Sequence, residues 1–104
     1  MSGAKQFVDA AIVDNKVVVF SKTYCPYCKM AKSALDKCGG KYKVIELESR
    51  SDTDAIQDYL LKLTGGRSVP RVFIGGKFVG GGTEVEQLKK DNKLTPMLQS
   101  VGAL

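Results

Sequence analysis

Apolar positions along the chain fall into short runs with distinct periods. Phe7, Val8, Ala11 and Ile12 recur at helical spacing between Ala4 and Asp14, which predicts a short amphipathic helix. Val17-Val18-Val19-Phe20 is an unbroken β-branched and aromatic run. Such a run suits a strand covered on both faces, as in a parallel or mixed sheet. Ser21 to Cys25 leaves that strand as a loop. Pro26 then fits the first turn of a helix, where an N–H would have no intrahelical partner. The helix is expected to run to Cys38, with Ala31, Ala34, Leu35 and Cys38 on one face, before Gly39-Gly40 stops it.

The second half repeats this logic. Lys43 to Glu48 alternates, with Val44, Ile45 and Leu47 as strand residues. Ser51 and Asp54 resemble a capping pattern for the next helix. Ile56, Tyr59, Leu60 and Leu63 give that helix an apolar stripe, and Gly65-Gly66 ends it. Arg71 to Ile74 and Lys77 to Val79 flank Gly75-Gly76, which predicts a β-hairpin. Gly80-Gly81-Gly82-Thr83 leads into a helix of about ten residues from Glu84. A last helical piece carries Leu94, Met97, Leu98 and Val101.

The order is thus helix, strand, helix, strand, helix, hairpin, helix, helix. The βαβ start implies parallel strands joined by a right-handed crossover, and the hairpin adds antiparallel ones. The 104 residues hold no repeat, linker or low-complexity segment, so one α/β domain over 1–104 is expected.

Composition removes several kinds of chemistry. The chain has no histidine and no tryptophan. A Ser-His-Asp triad, a Cys-His protease pair, HExxH zinc chemistry and a histidine pH switch are therefore excluded. No run approaches the roughly 18 to 20 apolar residues of a membrane span, and the first six residues carry no signal core or arginine-rich transit pattern. Three cysteines are too few, and odd in number, for a secreted disulfide scaffold. A reducing compartment is expected, most simply the cytosol.

The charge is uneven. From Lys16 to Lys43 there are seven lysines and one acid, a net +6, while the rest of the chain sums to −1. All three cysteines, Cys25, Cys28 and Cys38, lie inside the basic stretch. Its tyrosines are scattered and its lysines suit a solvated face, so nucleic-acid binding is not expected. The glycines at 80–82 lack the spacing of a dinucleotide or phosphate loop.

The chemistry concentrates at Cys25-Pro26-Tyr27-Cys28, between a buried strand and a helix. A structural zinc site would need four Cys or His ligands, and only Cys38 remains to add. Redox chemistry is the better reading. At a helix N-terminus, free N–H groups and the helix dipole favour an anion, and Lys22 with its neighbours adds positive potential. Both effects favour a thiolate at Cys25. Cys28, one turn into the helix, is expected to be more buried and to keep its proton longer. Cys25 therefore attacks and Cys28 resolves. Cys38 continues an apolar helix face, and packing is its expected role.

These residues resemble the dithiol glutaredoxins, members of the thioredoxin-fold superfamily. The likeness runs through Val18 to Cys28, Ile56 to Leu60, Leu63 to Gly76, Gly80-Gly81 and Val101 to Leu104, in order. Thioredoxin proper usually has a Trp-Cys-Gly-Pro-Cys site, which this chain lacks. The resemblance implies a four-stranded mixed sheet flanked by about five helices. It implies glutathione as reducing co-substrate, with no tightly bound cofactor and no metal. Lys22, Gln57 and Arg67 stand where the family contacts the glycyl carboxylate of glutathione, and Tyr27 lines the groove. Val69 precedes Pro70, a proline that is cis in the family, and pairs through its backbone with the cysteinyl backbone of glutathione. The helix start after Gly80-Gly81 meets the γ-glutamyl end.

Two departures from the family pattern stand out. Ser68-Val69-Pro70 replaces the common Thr-Val-Pro but keeps the hydroxyl. Gly82-Thr83-Glu84 replaces Cys-Ser-Asp or Cys-Asp-Asp, so either Thr83 or Glu84 would receive the amino group of glutathione.

The expected activity is reduction of protein–glutathione mixed disulfides and of protein disulfides, by a monomer that binds neither nucleic acid nor membrane. Two alternatives share the motif. One is a [2Fe–2S] carrier that ligates a cluster with Cys25 and glutathione between two chains, a use that Pro26 in the motif disfavours. The other is a thioredoxin-like reductase served by a flavoenzyme, which turnover on glutathione alone would separate.

Overall fold

The computed structural model describes residues 3–104. Helix α1 (Gly3–Asp14) precedes strand β1 (Val17–Ser21), and α2 (Pro26–Lys37) leads to β2 (Lys43–Glu46). Helix α3 (Thr53–Thr64) is followed by β3 (Arg71–Ile74), β4 (Lys77–Gly80), α4 (Gly82–Lys90) and α5 (Leu94–Ser100). Among the described residues these are four strands and five helices, the thioredoxin fold that the resemblance implies.

The strands form one mixed sheet in the order β2-β1-β3-β4. β1 runs parallel to β2 and antiparallel to β3, and β3 and β4 form the hairpin. All five residues of β1 are buried, as its continuous apolar run requires for a central strand with helices on both faces. Successive side chains of a strand point to opposite faces, so β1 feeds two separate cores. Val17 and Val19 join Ala31, Leu35, Leu94 and Leu98 beneath α2, α4 and α5. Val18 and Phe20 join Val8, Ile56, Leu60 and Phe73 beneath α1 and α3.

Several boundaries differ from the sequence reading. β2 stops at Glu46, yet Leu47 stays fully buried and its N–H donates to the Ser21 carbonyl at 2.9 Å. The capping pattern at Ser51 and Asp54 does not form. Asp52 takes the N-cap position without a side-chain cap bond. Instead the Thr53 hydroxyl donates to the carbonyls of Leu47 and, at 2.8 Å, Arg50. Leu63 leaves the apolar stripe of α3 and is 44% exposed, whereas polar Gln57 is buried. The expected end of α3 does form: Gly65 takes a φ of 84°, the left-handed conformation a glycine C-cap supplies at no steric cost. Helix α4 begins at Gly82, two residues earlier than expected. Cys38 caps α2 and packs against the core beneath it.

Candidate active site

β1 delivers the chain to the cysteines and α2 receives it. Cys25 is the N-cap of α2, in extended conformation, with Pro26 directly after it. The position of the proline fixes where the helix starts, and so which sulfur sits at its end. The Cys28 N–H donates to Cys25 Sγ at 3.3 Å. The sulfur thus fills the role that a Ser or Asp oxygen fills at other helix starts. Cys25 is half-buried, and its thiol donates to the Val69 carbonyl at 3.7 Å. Cys28 lies behind it, fully buried, and its Sγ accepts from the Lys22 N–H at 3.5 Å. Both thiols are free.

Environment separates the two cysteines. Burial pushes the Cys28 thiol up to about 11 from its ordinary 9.0, and its hydrogen bond with Cys25 adds to the rise. Cys28 is therefore held as a proton-bearing thiol, more buried than Cys25, as the sequence predicts. The loop before Cys25 is fastened from outside. Glu48 accepts from the Thr23 N–H at 3.2 Å and from its hydroxyl, and these bonds hold the Glu48 carboxyl below its usual range.

A cleft of about 760 Å³ opens beside this pair. Of the residues the resemblance assigns, Tyr27, Ser68-Val69-Pro70 and Gly81-Gly82-Thr83-Glu84 line it. The Val69–Pro70 peptide is cis. Tyr27 is 56% exposed and lines the cleft. Gly82 sits tight against α2: a Cβ there would fall 2.3 Å from the Tyr27 carbonyl oxygen. Absence of a side chain lets the N-terminus of α4 reach the helix that carries the cysteines.

Thr83 and Glu84 differ in their partners. Glu84 Oε1 accepts from the Gly81 N–H at 2.7 Å, reaching back over the first turn of α4 as in a capping box. Thr83 is exposed on the cleft wall and makes no such bond.

Lys22, Gln57 and Arg67 lie outside the cleft lining. Lys22 is half-buried on the loop between β1 and α2. The resemblance implies a ligand contact for Gln57, but the structure gives its amide nitrogen an internal partner. Gln57 is 6% exposed and donates to the Arg67 carbonyl at 2.7 Å. The Arg67 side chain is exposed and turns back to α3, where Asp58 accepts from it.

Sequence reasoning missed four cleft residues, Arg71, Phe78, Val79 and Gly80. Arg71 donates to the Ser68 carbonyl at 2.7 Å and its guanidinium lies 5.2 Å from the Phe78 ring centroid. Its position directly after Pro70 is the signal that could have marked it.

Known proteins share this fold and much of this sequence. The family model described as Glutaredoxin matches residues 17–79. Glutaredoxin-C2 of Arabidopsis thaliana is 47% identical over 104 residues, which is 100% of this chain and 90% of that protein. The crystal structure of oxidized glutaredoxin 2 from Chlamydomonas reinhardtii superposes with a TM-score of 0.94 at 54% identity, covering 98% of this chain and 96% of that one. A buckwheat glutaredoxin–glutathione complex superposes with a TM-score of 0.93 at 49% identity, over 98% of this chain and 93% of that one.

Proposed function

The chain belongs to the glutaredoxin family, and from that membership we propose that it reduces glutathione mixed disulfides and protein disulfides at the expense of glutathione. The observation that carries this reading is the asymmetry of the thiols. Cys25 stands half-exposed at a helix N-cap beside the cleft, and Cys28 is buried behind it.

In the monothiol route the Cys25 thiolate attacks the glutathione sulfur of a protein–glutathione disulfide. The protein thiolate leaves and takes a proton from water. A glutathione thiolate then attacks the same sulfur of the Cys25–glutathione disulfide, which releases oxidised glutathione and restores Cys25. In the dithiol route Cys25 attacks a protein disulfide, Cys28 displaces the protein as its second thiol, and two glutathione molecules reduce the resulting Cys25–Cys28 disulfide.

The Cys28 N–H and the N-terminus of α2 stabilise the charge on Cys25 as it forms and as it leaves. The Val69 backbone aligns the cysteinyl part of glutathione, and Tyr27 covers it. Thr83 and the free N–H groups of α4 take the γ-glutamyl end. Lys22 and Arg67 take the glycyl carboxylate, with Gln57 holding the Arg67 loop from below. The protein works as a monomer in the cytosol.

The test is a coupled assay with glutathione, glutathione reductase, NADPH and a small glutathione mixed disulfide. Cys28→Ser keeps turnover and Cys25→Ser abolishes it. Turnover that survives Cys25→Ser contradicts the assignment of the nucleophile.

A further inference from the structure

We propose that Asp58 is a built-in competitor for the carboxylate that Arg67 receives, and so sets how tightly the protein holds glutathione; this rests on the reading above that Arg67 takes the glycyl carboxylate. Asp58 Oδ1 accepts from Arg67 Nη2 at 3.0 Å and from Nε at 3.3 Å. Nη2 also donates to the Asp54 backbone carbonyl at 3.5 Å and lies 3.8 Å from Asp54 Oδ1. The Nε–Nη2 edge is one of the edges through which a guanidinium forks onto a carboxylate. Here the protein's own carboxylate occupies it, while Nη1 makes no hydrogen bond among the described residues.

Sequence explains the arrangement. Asp54 and Asp58 are four apart on α3, so they share a face of the helix. Gln57, next to Asp58, pins the Arg67 carbonyl. Residues 57 and 58 therefore fix both the backbone and the side chain of Arg67. With two aspartates against one arginine, the local charge is −1, and an incoming carboxylate meets two like charges. The three side chains are 44%, 67% and 95% exposed for Arg67, Asp58 and Asp54. An ion pair this exposed is weak and opens readily, as an exchangeable partner must.

Asp58 acts through Arg67 and is a positioning residue. Asp58→Asn keeps an oxygen that can accept from Arg67 and removes the charge. The experiment measures KM and kcat for the small glutathione mixed disulfide in the coupled assay at low salt, in the wild type, Asp58→Asn, Arg67→Ala and the double variant. It is repeated with a mixed disulfide esterified at the glycyl carboxylate of its glutathione. Asp58→Asn is expected to lower the mixed-disulfide KM about threefold, the size of an exposed ion-pair effect, with kcat unchanged. The gain is expected to vanish with the ester and in the Arg67→Ala background, and to shrink at high salt. An unchanged or raised KM in Asp58→Asn overturns the proposal, as does a gain that survives Arg67→Ala. Absence of glutathione-dependent turnover in the wild type instead removes the parent reading, and the proposal falls with it.

Discussion

The Gln57 amide donates to the Arg67 carbonyl at 2.7 Å, so a buried polar residue of α3 carries the loop that bears Arg67. Gln57→Leu preserves much of the volume and leaves that carbonyl without its donor. The expected cost is about 1–3 kcal/mol, read from the urea unfolding midpoint. The KM for the glutathione mixed disulfide is expected to rise in the same variant, because Arg67 loses its fixed base. A variant with wild-type KM and stability would show that the loop holds itself.

Unequal burial of the two thiols gives a labelling pattern and a pH dependence. Brief iodoacetamide treatment of the reduced protein at pH 7.5 is expected to modify Cys25 and spare Cys28, as read by peptide mass mapping. The Cys28 thiol ionises near 9.0 when unfolded and near 11 when folded. An acid whose folded pKa is raised ionises first in the unfolded chain, which favours unfolding. The contribution of Cys28 is therefore complete below pH 9 and lost as pH climbs to about 11. Urea midpoints followed from pH 8 to 11 should fall more steeply in the wild type than in Cys28→Ala. Tyr42, pushed up to about 12 by burial and its bond to Asp36, titrates in both and drops out of the comparison.

Thr83 and Glu84 are expected to divide binding from stability. Glu84→Ala removes the bond to the Gly81 N–H and is expected to cost about 1 kcal/mol of stability, the usual value of a lost cap. Thr83→Val, on the exposed wall of the cleft, is expected to raise the KM for the glutathione mixed disulfide without moving the unfolding midpoint. The reverse pattern would exchange their roles.

Gly82→Ala tests the approach of α4 to α2. The new Cβ would meet the Tyr27 backbone, which cannot swing aside as a flexible side chain can. The expected destabilisation is about 1–3 kcal/mol, the usual cost of overpacking. Tyr27 moves with the backbone it shares, so the KM for the glutathione mixed disulfide should rise too. An alanine variant with unaltered midpoint would mean that this chain can part them freely.

Element order, sheet type and the thiol pair were legible because each rests on local pattern. The run from Val17 to Phe20 demands a central strand, Pro26 a helix start, and Gly65 a helix end. What escaped depends on contacts between segments distant in sequence. Leu63 fits the apolar stripe of α3 by spacing, yet Gln57 goes inside because the Arg67 carbonyl needs a donor there. Ser51 looks like a cap, but Thr53 takes the local bonds because the carbonyls of Leu47 and Arg50 come within its reach. The resemblance marks Arg67 as a carboxylate contact but not its pairing with Asp58, which α3 brings to it. Arg71 lines the cleft only because β3 starts where the Ser68 to Pro70 loop turns.

The division of the core by β1 has a mechanical consequence. The cysteines ride on α2, on one face of the sheet, and Gln57 and Asp58 ride on α3, on the other. A molecule gripped at Cys25 and at Arg67 would therefore act as a strut between two layers packed on opposite faces of the sheet. Its binding free energy is shared by the whole fold through linkage rather than spent on one loop. Amide protection gained on binding should then extend into β1 and β3, the strands clamped between its two ends.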